Sequence, residues 1–203
     1  MSAAAGGELG ADRGSGVVLG RLSAPNRLVF LLGGARSGKS RLAQELAARW
    51  EGPVSVIATA EPGDAEMAAR IAQHKRRRPA TWTTVEEPCN VADALRGVEG
   101  TACVIIDCVT LWVSNLLAAG LTDADIGALA AEAGGLAGLR PAPTVVVSNE
   151  VGAGVVPMTP LGRRYRDLLG TVNALWAGAA GRTYLLIAGK TLLLNQTEPG
   201  WEQ

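Results

Sequence analysis

The chain has 203 residues, no net formal charge, three cysteines and a hydrophobic fraction of 48%. This length suits one domain with a substantial core, and the balanced charge gives no sign of a nucleic-acid or membrane-surface partner. An odd cysteine number without Cys-x-x-Cys spacing argues against a disulfide framework and favours a cytoplasmic location. No apolar run has the length of a membrane span, and the first residues lack the pattern of a signal peptide.

Residues 1–26 are rich in Gly, Ala and Ser and have no apolar period, so we expect a flexible extension there. A single domain is predicted for residues 27–203, where strand and helix patterns alternate. Predicted strands cover residues 28–32, 54–58, 82–85, 102–107, 144–148, 183–188 and 191–194. Predicted helices cover residues 39–50, 64–77, 90–96, 110–118, 123–138 and 161–180.

The strand patterns indicate an α/β fold with a mostly parallel sheet of about seven strands. The predicted strands at 102–107 and 144–148 are continuous apolar runs, which is typical of strands covered by helices on both faces. The last two predicted strands are joined by Gly189 and Lys190 alone. Because two residues can close a hairpin but cannot make a parallel crossover, one edge strand should be antiparallel.

Residues 33–40 fit the motif G-x-x-x-x-G-K-[ST] directly between a predicted strand and a predicted helix. In this context the glycines turn backbone N–H groups toward one anionic centre, at the positive end of the following helix. Lys39 would reach the β- and γ-phosphates and the Ser40 hydroxyl would ligate Mg²⁺. The alternative is a chance glycine-rich turn. The predicted nucleotide contacts are Gly33, Gly34, Ala35, Arg36, Ser37, Gly38, Lys39 and Ser40.

Two acidic residues lie at or just after the ends of predicted strands, at the edge where ligands collect in such sheets. Asp107 ends the apolar run Val104-Ile-Ile, and it is a candidate to hold Mg²⁺ or its water shell. The alternative is a carboxylate that caps the next helix. Glu150 also follows an apolar strand and is either a competing acid at this edge or a carboxylate of a solvated turn.

His74 is the single histidine of the chain and lies near the end of a predicted helix. Helical spacing places it on one face with Met67 and Ile71, which predicts a half-buried histidine. The cationic run Lys75–Arg78 follows it, and such a run is usually a solvated face. Beside a triphosphate site, the same run suits the stabilisation of a departing pyrophosphate, and the imidazole suits covalent attack on a phosphate.

Several segments together resemble one family. They are Gly33-Gly-Ala-Arg-Ser-Gly-Lys-Ser-Arg41, Ile57-Ala-Thr59-Ala, Asp64-Ala-Glu-Met-Ala-Ala-Arg-Ile, Gln73-His-Lys, Arg78-Pro-Ala-x-Trp82, Asn149-Glu-Val-Gly-x-Gly-Val-Val-Pro157 and Tyr165-Arg-Asp-Leu with Val172-Asn173. In this order and spacing they are similar to the bifunctional adenosylcobinamide kinase / adenosylcobinamide-phosphate guanylyltransferase of cobalamin biosynthesis. The resemblance covers residues 27–195, which is nearly everything except the N-terminal extension.

The resemblance implies a RecA-like P-loop domain that forms a homotrimer. It implies phosphorylation of adenosylcobinamide with ATP or GTP, then transfer of GMP from GTP to that phosphate through a guanylylated His74. It implies Mg²⁺ at Ser40 and Asp107. Beyond the P-loop, it places nucleotide contacts at Thr59, Ala60, Glu61, Lys75, Arg76, Arg77, Arg78, Glu86 and Asp107.

Two other functions remain open from the sequence. A simple P-loop kinase would need no covalent histidine, whereas a GTP-dependent switch would need a guanine-reading Asn-Lys-x-Asp, in place of which the chain has Asn149-Glu-Val-Gly. The apolar residues 109–117 and the loop 152–157 are candidates to contact the corrinoid or a neighbouring subunit, and plain core packing is the alternative.

Overall fold

The computed structural model describes residues 26–194, and apart from Asn26 the predicted N-terminal extension lies outside them. The strands are β1 (Leu28–Gly33), β2 (Val54–Ala58), β3 (Thr83–Glu86), β4 (Cys103–Asp107), β5 (Thr144–Val147), β6 (Arg182–Ile187) and β7 (Lys190–Leu194). The helices are α1 (Lys39–Ala47), α2 (Ala65–Arg76), α3 (Val91–Gly97), α4 (Val109–Ala118), α5 (Asp123–Leu139) and α6 (Pro160–Ala179).

The strands described in residues 26–194 form one seven-stranded sheet in the order β3-β2-β4-β5-β1-β6-β7. All neighbours are parallel except β6 and β7, which confirms the predicted antiparallel edge. One strand, β5, separates β1 from β4, so this is the RecA-like form of the P-loop fold. The carboxyl ends of β1, β2, β4 and β5 therefore share one edge of the sheet.

Helices cover both faces of the sheet, as the continuous apolar strands predict. One core lies under α3, α4, α5 and α6 and includes Trp112 and Trp176, which are 1% and 0% exposed. The other core lies under α1 and includes Leu42 and Leu46. Within residues 26–194, no helix combines the length and the apolar character needed to cross a membrane.

The helices begin in two different ways, and the difference matters for the site. Asp64, Thr122 and Thr159 cap α2, α5 and α6, and each side chain accepts a backbone N–H from the first turn. Helices α1, α3 and α4 have no side-chain cap, and α1 differs from the other two because it begins after a glycine, Gly38, with φ 104°. The first N–H groups of α1 are therefore left for another partner, as in helices that bind anions.

The hairpin between β6 and β7 turns one residue earlier than the sequence predicts. Ile187 pairs with Lys190, so Ala188 and Gly189 form the turn and Lys190 belongs to β7. Both turn residues have positive φ, 50° and 75°, which is the geometry whose twist matches that of paired antiparallel strands. Ala188 was not predicted as a turn residue because alanine rarely adopts positive φ.

Candidate active site

The phosphate loop (residues 33–40) runs from the end of β1 into α1, as the motif predicts. Gly33 has φ 150°, and a Cβ on it would lie 2.3 Å from the Leu186 carbonyl oxygen, so a larger residue does not fit. Ser37 is buried, and its carbonyl oxygen accepts the Gly189 N–H at 3.1 Å. The β6–β7 hairpin thus supports the loop from one side. The exposed members of the loop are Gly34, Ala35 and Arg36.

Lys39 is the buried cation of the phosphate loop. Its Nζ donates to the carbonyl oxygens of Gly33 at 2.8 Å and Gly34 at 2.7 Å, and to Ser37 Oγ at 3.3 Å. Burial lowers the pKa of the Lys39 ammonium, while the negative charge of Asp107 acts to raise it. These three hydrogen bonds of the ammonium stabilise the conformation of the loop.

Ser40, Asp107 and His74 come from α1, β4 and α2 and meet beside the phosphate loop. Ser40 Oγ donates to Asp107 Oδ1 at 3.4 Å, and His74 Nδ1 lies 3.6 Å from Asp107 Oδ2. The Asp107 side chain is 14% exposed and that of His74 is 42% exposed. Residue Cys108, not Asp107, is the N-cap of α4. The structure therefore brings the predicted nucleophile, the predicted metal-binding carboxylate and the loop hydroxyl together.

The cations after His74 have two kinds of environment. Lys75 forms an ion pair with Glu86 of β3, and Arg78 Nη1 donates to Thr84 Oγ1 at 3.3 Å. Burial lowers the pKa of Arg78, and the negative charges of Asp107 and Glu86 oppose this. Arg78 is thus a partly buried cation near Asp107, which suits it to contact a bound anion. Arg76 and Arg77 are exposed, as Lys75 is, and they match a solvated face.

The three residues after β2 differ in what they offer a ligand. Thr59 is 0% exposed, and its hydroxyl donates to the Cys108 carbonyl oxygen at 2.7 Å and accepts the Cys108 N–H at 2.9 Å. Its side chain is therefore engaged with the end of β4. Ala60 is half-buried and Glu61 is exposed. The side chains of this segment that face solvent and could contact a ligand therefore belong to the residues after Thr59.

Glu150 lies at the same sheet edge but is engaged in its own turn. Its Oε1 accepts the Gly152 N–H at 2.5 Å, and its backbone N–H donates to the Gly33 carbonyl oxygen at 3.1 Å. This arrangement matches the interpretation as a turn carboxylate. Its backbone supports the phosphate loop from the side opposite the β6–β7 hairpin.

A buried polar network, which the sequence did not predict, fixes the chain at the end of β5. Ser148 Oγ donates to Asn173 Oδ1 at 2.7 Å, and Asn173 Nδ2 donates to the Asn149 carbonyl oxygen at 3.1 Å. Thr110 Oγ1 accepts the Asn149 N–H at 2.7 Å, and the Tyr165 hydroxyl donates to the Thr110 carbonyl oxygen. The sequence signal that could have revealed this network is the presence of Thr110 and Asn173 within otherwise apolar helix faces.

The two apolar segments singled out in the sequence differ in how far their side chains are exposed. In α4, Val109, Trp112 and Val113 are at most 1% exposed, so this segment is core packing. In the loop 152–157, Val155 is 92% exposed and Val156 is 64% exposed. This loop remains available for contact with a large ligand or another chain.

Comparisons with known proteins identify one family of relatives. Residues 29–194 match the family described as cobinamide kinase / cobinamide phosphate guanyltransferase. The bifunctional adenosylcobalamin biosynthesis protein CobP of Pseudomonas aeruginosa is 47% identical over 170 residues, which cover 82% of this chain and 96% of that protein. The CobU proteins of Escherichia coli K12 and Salmonella typhimurium LT2 are each 38% identical, over 80% of this chain and 96% of theirs.

Proposed function

This chain belongs to the cobinamide kinase / cobinamide phosphate guanyltransferase family, and from that premise we propose that it catalyses both reactions. It phosphorylates adenosylcobinamide with ATP or GTP, and it then transfers GMP from GTP to adenosylcobinamide phosphate. The observation that carries the proposal is the meeting of His74, Asp107 and Ser40, because it joins a P-loop site to a half-exposed imidazole. The P-loop accounts for a kinase and the imidazole for a covalent second reaction.

In the kinase reaction, the substrate hydroxyl oxygen attacks the γ-phosphorus. The bond from that phosphorus to the β–γ bridging oxygen breaks, the nucleoside diphosphate leaves with that electron pair, and the hydroxyl proton passes to solvent water. Such transfers need positioning and charge stabilisation more than covalent help from the protein. The loop N–H groups and Lys39 are suited to supply both, because the P-loop motif directs such groups at the β- and γ-phosphates.

In the guanylyl transfer, an imidazole nitrogen of His74 attacks the α-phosphorus of GTP. The bond to the α–β bridging oxygen breaks, and pyrophosphate leaves with that electron pair. A phosphate oxygen of adenosylcobinamide phosphate then attacks the same phosphorus, the P–N bond breaks and the imidazole is restored. Since Nδ1 faces Asp107, Nε2 is the nitrogen free to attack. Arg78 and Lys39 are the cations suited to stabilise pyrophosphate.

The residues at the site fit a Mg²⁺ ion. Ser40 Oγ and Asp107 Oδ1 lie 3.4 Å apart, and hydroxyl and carboxylate oxygens are the ligands that this cation takes together with phosphate oxygens. Ser40 and Asp107 would hold the ion, directly or through water. When bound, it neutralises charge on the nucleotide phosphates.

Labelling with α-³²P-GTP and Mg²⁺ tests the proposal. We expect label on the protein that survives base, is lost in acid and maps to His74. The variant His74→Asn should take up no label and transfer no GMP, while it still phosphorylates adenosylcobinamide with ATP. On ¹⁵N-histidine protein, ³¹P–¹⁵N coupling should place the phosphorus on Nε2.

Glu66→Gln provides the matched control, because Glu66 lies in the first turn of the same helix with a side chain 73% exposed. It should take up label as the wild-type protein does. Label that persists in His74→Asn would place the guanylyl group on another residue and overturn the role of His74. A folded wild-type protein that takes up no label would leave a simple kinase. The homotrimer is a proposal from the family resemblance, and light scattering on the purified chain tests it. The cytoplasmic location is a proposal from the cysteine pattern.

A further inference from the structure

We propose that Thr59 is a positioning residue for Asp107, acting through the backbone that follows this carboxylate. The inference rests on the proposed function, since Asp107 matters only if nucleotide chemistry takes place beside it. It also gives Thr59 a different task from direct contact with a nucleotide. The hydroxyl of Thr59 is buried and engaged, whereas a ligand-binding hydroxyl has to face the ligand.

Three hydrogen bonds join Thr59 to the end of β4. Strands β2 and β4 pair in parallel with Ala58 opposite Asp107, so Thr59 continues the pairing one residue beyond the strand. Its N–H donates to the Asp107 carbonyl oxygen at 3.2 Å. Its hydroxyl accepts the Cys108 N–H at 2.9 Å and donates to the Cys108 carbonyl oxygen at 2.7 Å. One residue therefore holds the peptide group directly after the Asp107 Cα.

The backbone of Thr59 is itself held by a hydrogen bond from α4. Asn115 of α4 donates from Nδ2 to the Thr59 carbonyl oxygen at 2.8 Å and to the Pro88 carbonyl oxygen at 3.1 Å. The ends of β2 and β4 and the start of α4 are thus joined in one hydrogen-bonded unit. Thr59 has no exposed surface through which water could replace its hydroxyl.

The position of Asp107 needs such support because its two oxygens have different neighbours. Oδ1 accepts from Ser40 and Oδ2 lies 3.6 Å from His74. A rotation of the backbone at Asp107 would change both distances at once. Misplacement of a catalytic group by about 1 Å can lower a rate by about a hundredfold, so loss of the Thr59 hydroxyl should impair both reactions together.

The test compares Thr59→Val, which keeps the shape but removes the hydroxyl, with Thr59→Ser, which keeps the hydroxyl. We expect Thr59→Val to lower kcat/KM of both reactions by about 10- to 100-fold, and Thr59→Ser to stay within about threefold. Calorimetric binding of the α,β-methylene analogue of GTP, with and without Mg²⁺, gives a readout other than activity. In Thr59→Val the gain in affinity from Mg²⁺ should fall about tenfold, with affinity in its absence unchanged.

Ser55→Ala is the matched control, since Ser55 is a buried hydroxyl residue within β2, opposite Val104, and this variant should behave as wild type. Thermal unfolding of all variants reports their folding. The inference is overturned if Thr59→Ser is as impaired as Thr59→Val, if the Mg²⁺-dependent gain is intact, or if affinity falls equally without Mg²⁺. If the binding result holds while wild-type protein takes up no guanylyl label, the guanylyl transfer fails, a simple kinase remains and the role of Thr59 at the kinase site stands.

Discussion

Helices α1 and α2 both bring chemistry to the same sheet edge, yet they are packed in opposite ways. Helix α1 follows the phosphate loop and has five buried residues, Lys39, Leu42, Ala43, Leu46 and Ala47. Helix α2 carries His74 and has no buried residue. Its site-side contacts are the His74–Asp107 approach and the Lys75–Glu86 ion pair, and exposed ion pairs stabilise proteins by about 0–1 kcal/mol.

The difference separates two tasks of the proposed enzyme. Phosphate binding depends on N–H groups and a cation whose positions are set before the nucleotide arrives, and such preorganisation needs a buried helix. A nucleophile that first attacks GTP and then gives up GMP to a second substrate meets two different partners in turn. A half-exposed histidine on a weakly packed helix suits that task. Substitutions in α1 should therefore impair both reactions, whereas substitutions in α2 should impair one of them or neither.

The largest contrast is expected between two lysines. Lys39→Ala removes the buried cation of the phosphate loop and should lower kcat/KM of both reactions by about 10²–10³-fold, which is typical of losing a preorganised charge-stabilising group. Lys75→Ala removes an exposed cation paired with Glu86 and should cost less than about tenfold. Steady-state kinetics of each reaction with both variants measure this, with circular dichroism as a check on folding. Equal losses would refute the separation of tasks.

A second contrast concerns stability and involves two apolar side chains. Leu46 of α1 is 0% exposed, so Leu46→Ala should lower the free energy of unfolding by about 2–5 kcal/mol. Ile71 of α2 is only partly buried, so Ile71→Ala should cost about 1 kcal/mol or less. Urea unfolding of both variants against the wild-type protein measures the two values. An Ile71→Ala cost equal to that of Leu46→Ala would mean that α2 is packed as firmly as α1.

The fold was largely predictable from the sequence because its signals are local. Continuous apolar strands, the phosphate-loop motif and the short final connection predicted a mostly parallel sheet with one antiparallel edge, and the structure confirms it. The order of the strands was not predictable in this way. The insertion of β5 between β1 and β4 joins segments far apart in the chain, and no local pattern encodes it.

The site was predictable in its residue types but not in its contacts. Spacing placed His74 on a helix and Asp107 at a strand end, whereas their approach to 3.6 Å depends on how α2 lies against the sheet. Thr59 is a residue whose role could not be predicted from the sequence. A threonine after a strand looks the same in sequence whether its hydroxyl faces a ligand or is buried against a neighbouring strand.

The smallest expected effect needs no mutation. Amide hydrogens exchange through local opening, and the free energy of opening follows the buried contacts that hold an element in place. In the unliganded protein the amides of α2 should therefore be at least about tenfold less protected than those of α1, measured by hydrogen exchange with mass spectrometry. Peptides from α6, which has five buried residues, provide an internal reference and should behave as those of α1 do. Equal protection of α1 and α2 would show that exposed contacts alone hold the His74 helix firmly, and the kinetic contrast between Lys39 and Lys75 would then need another cause.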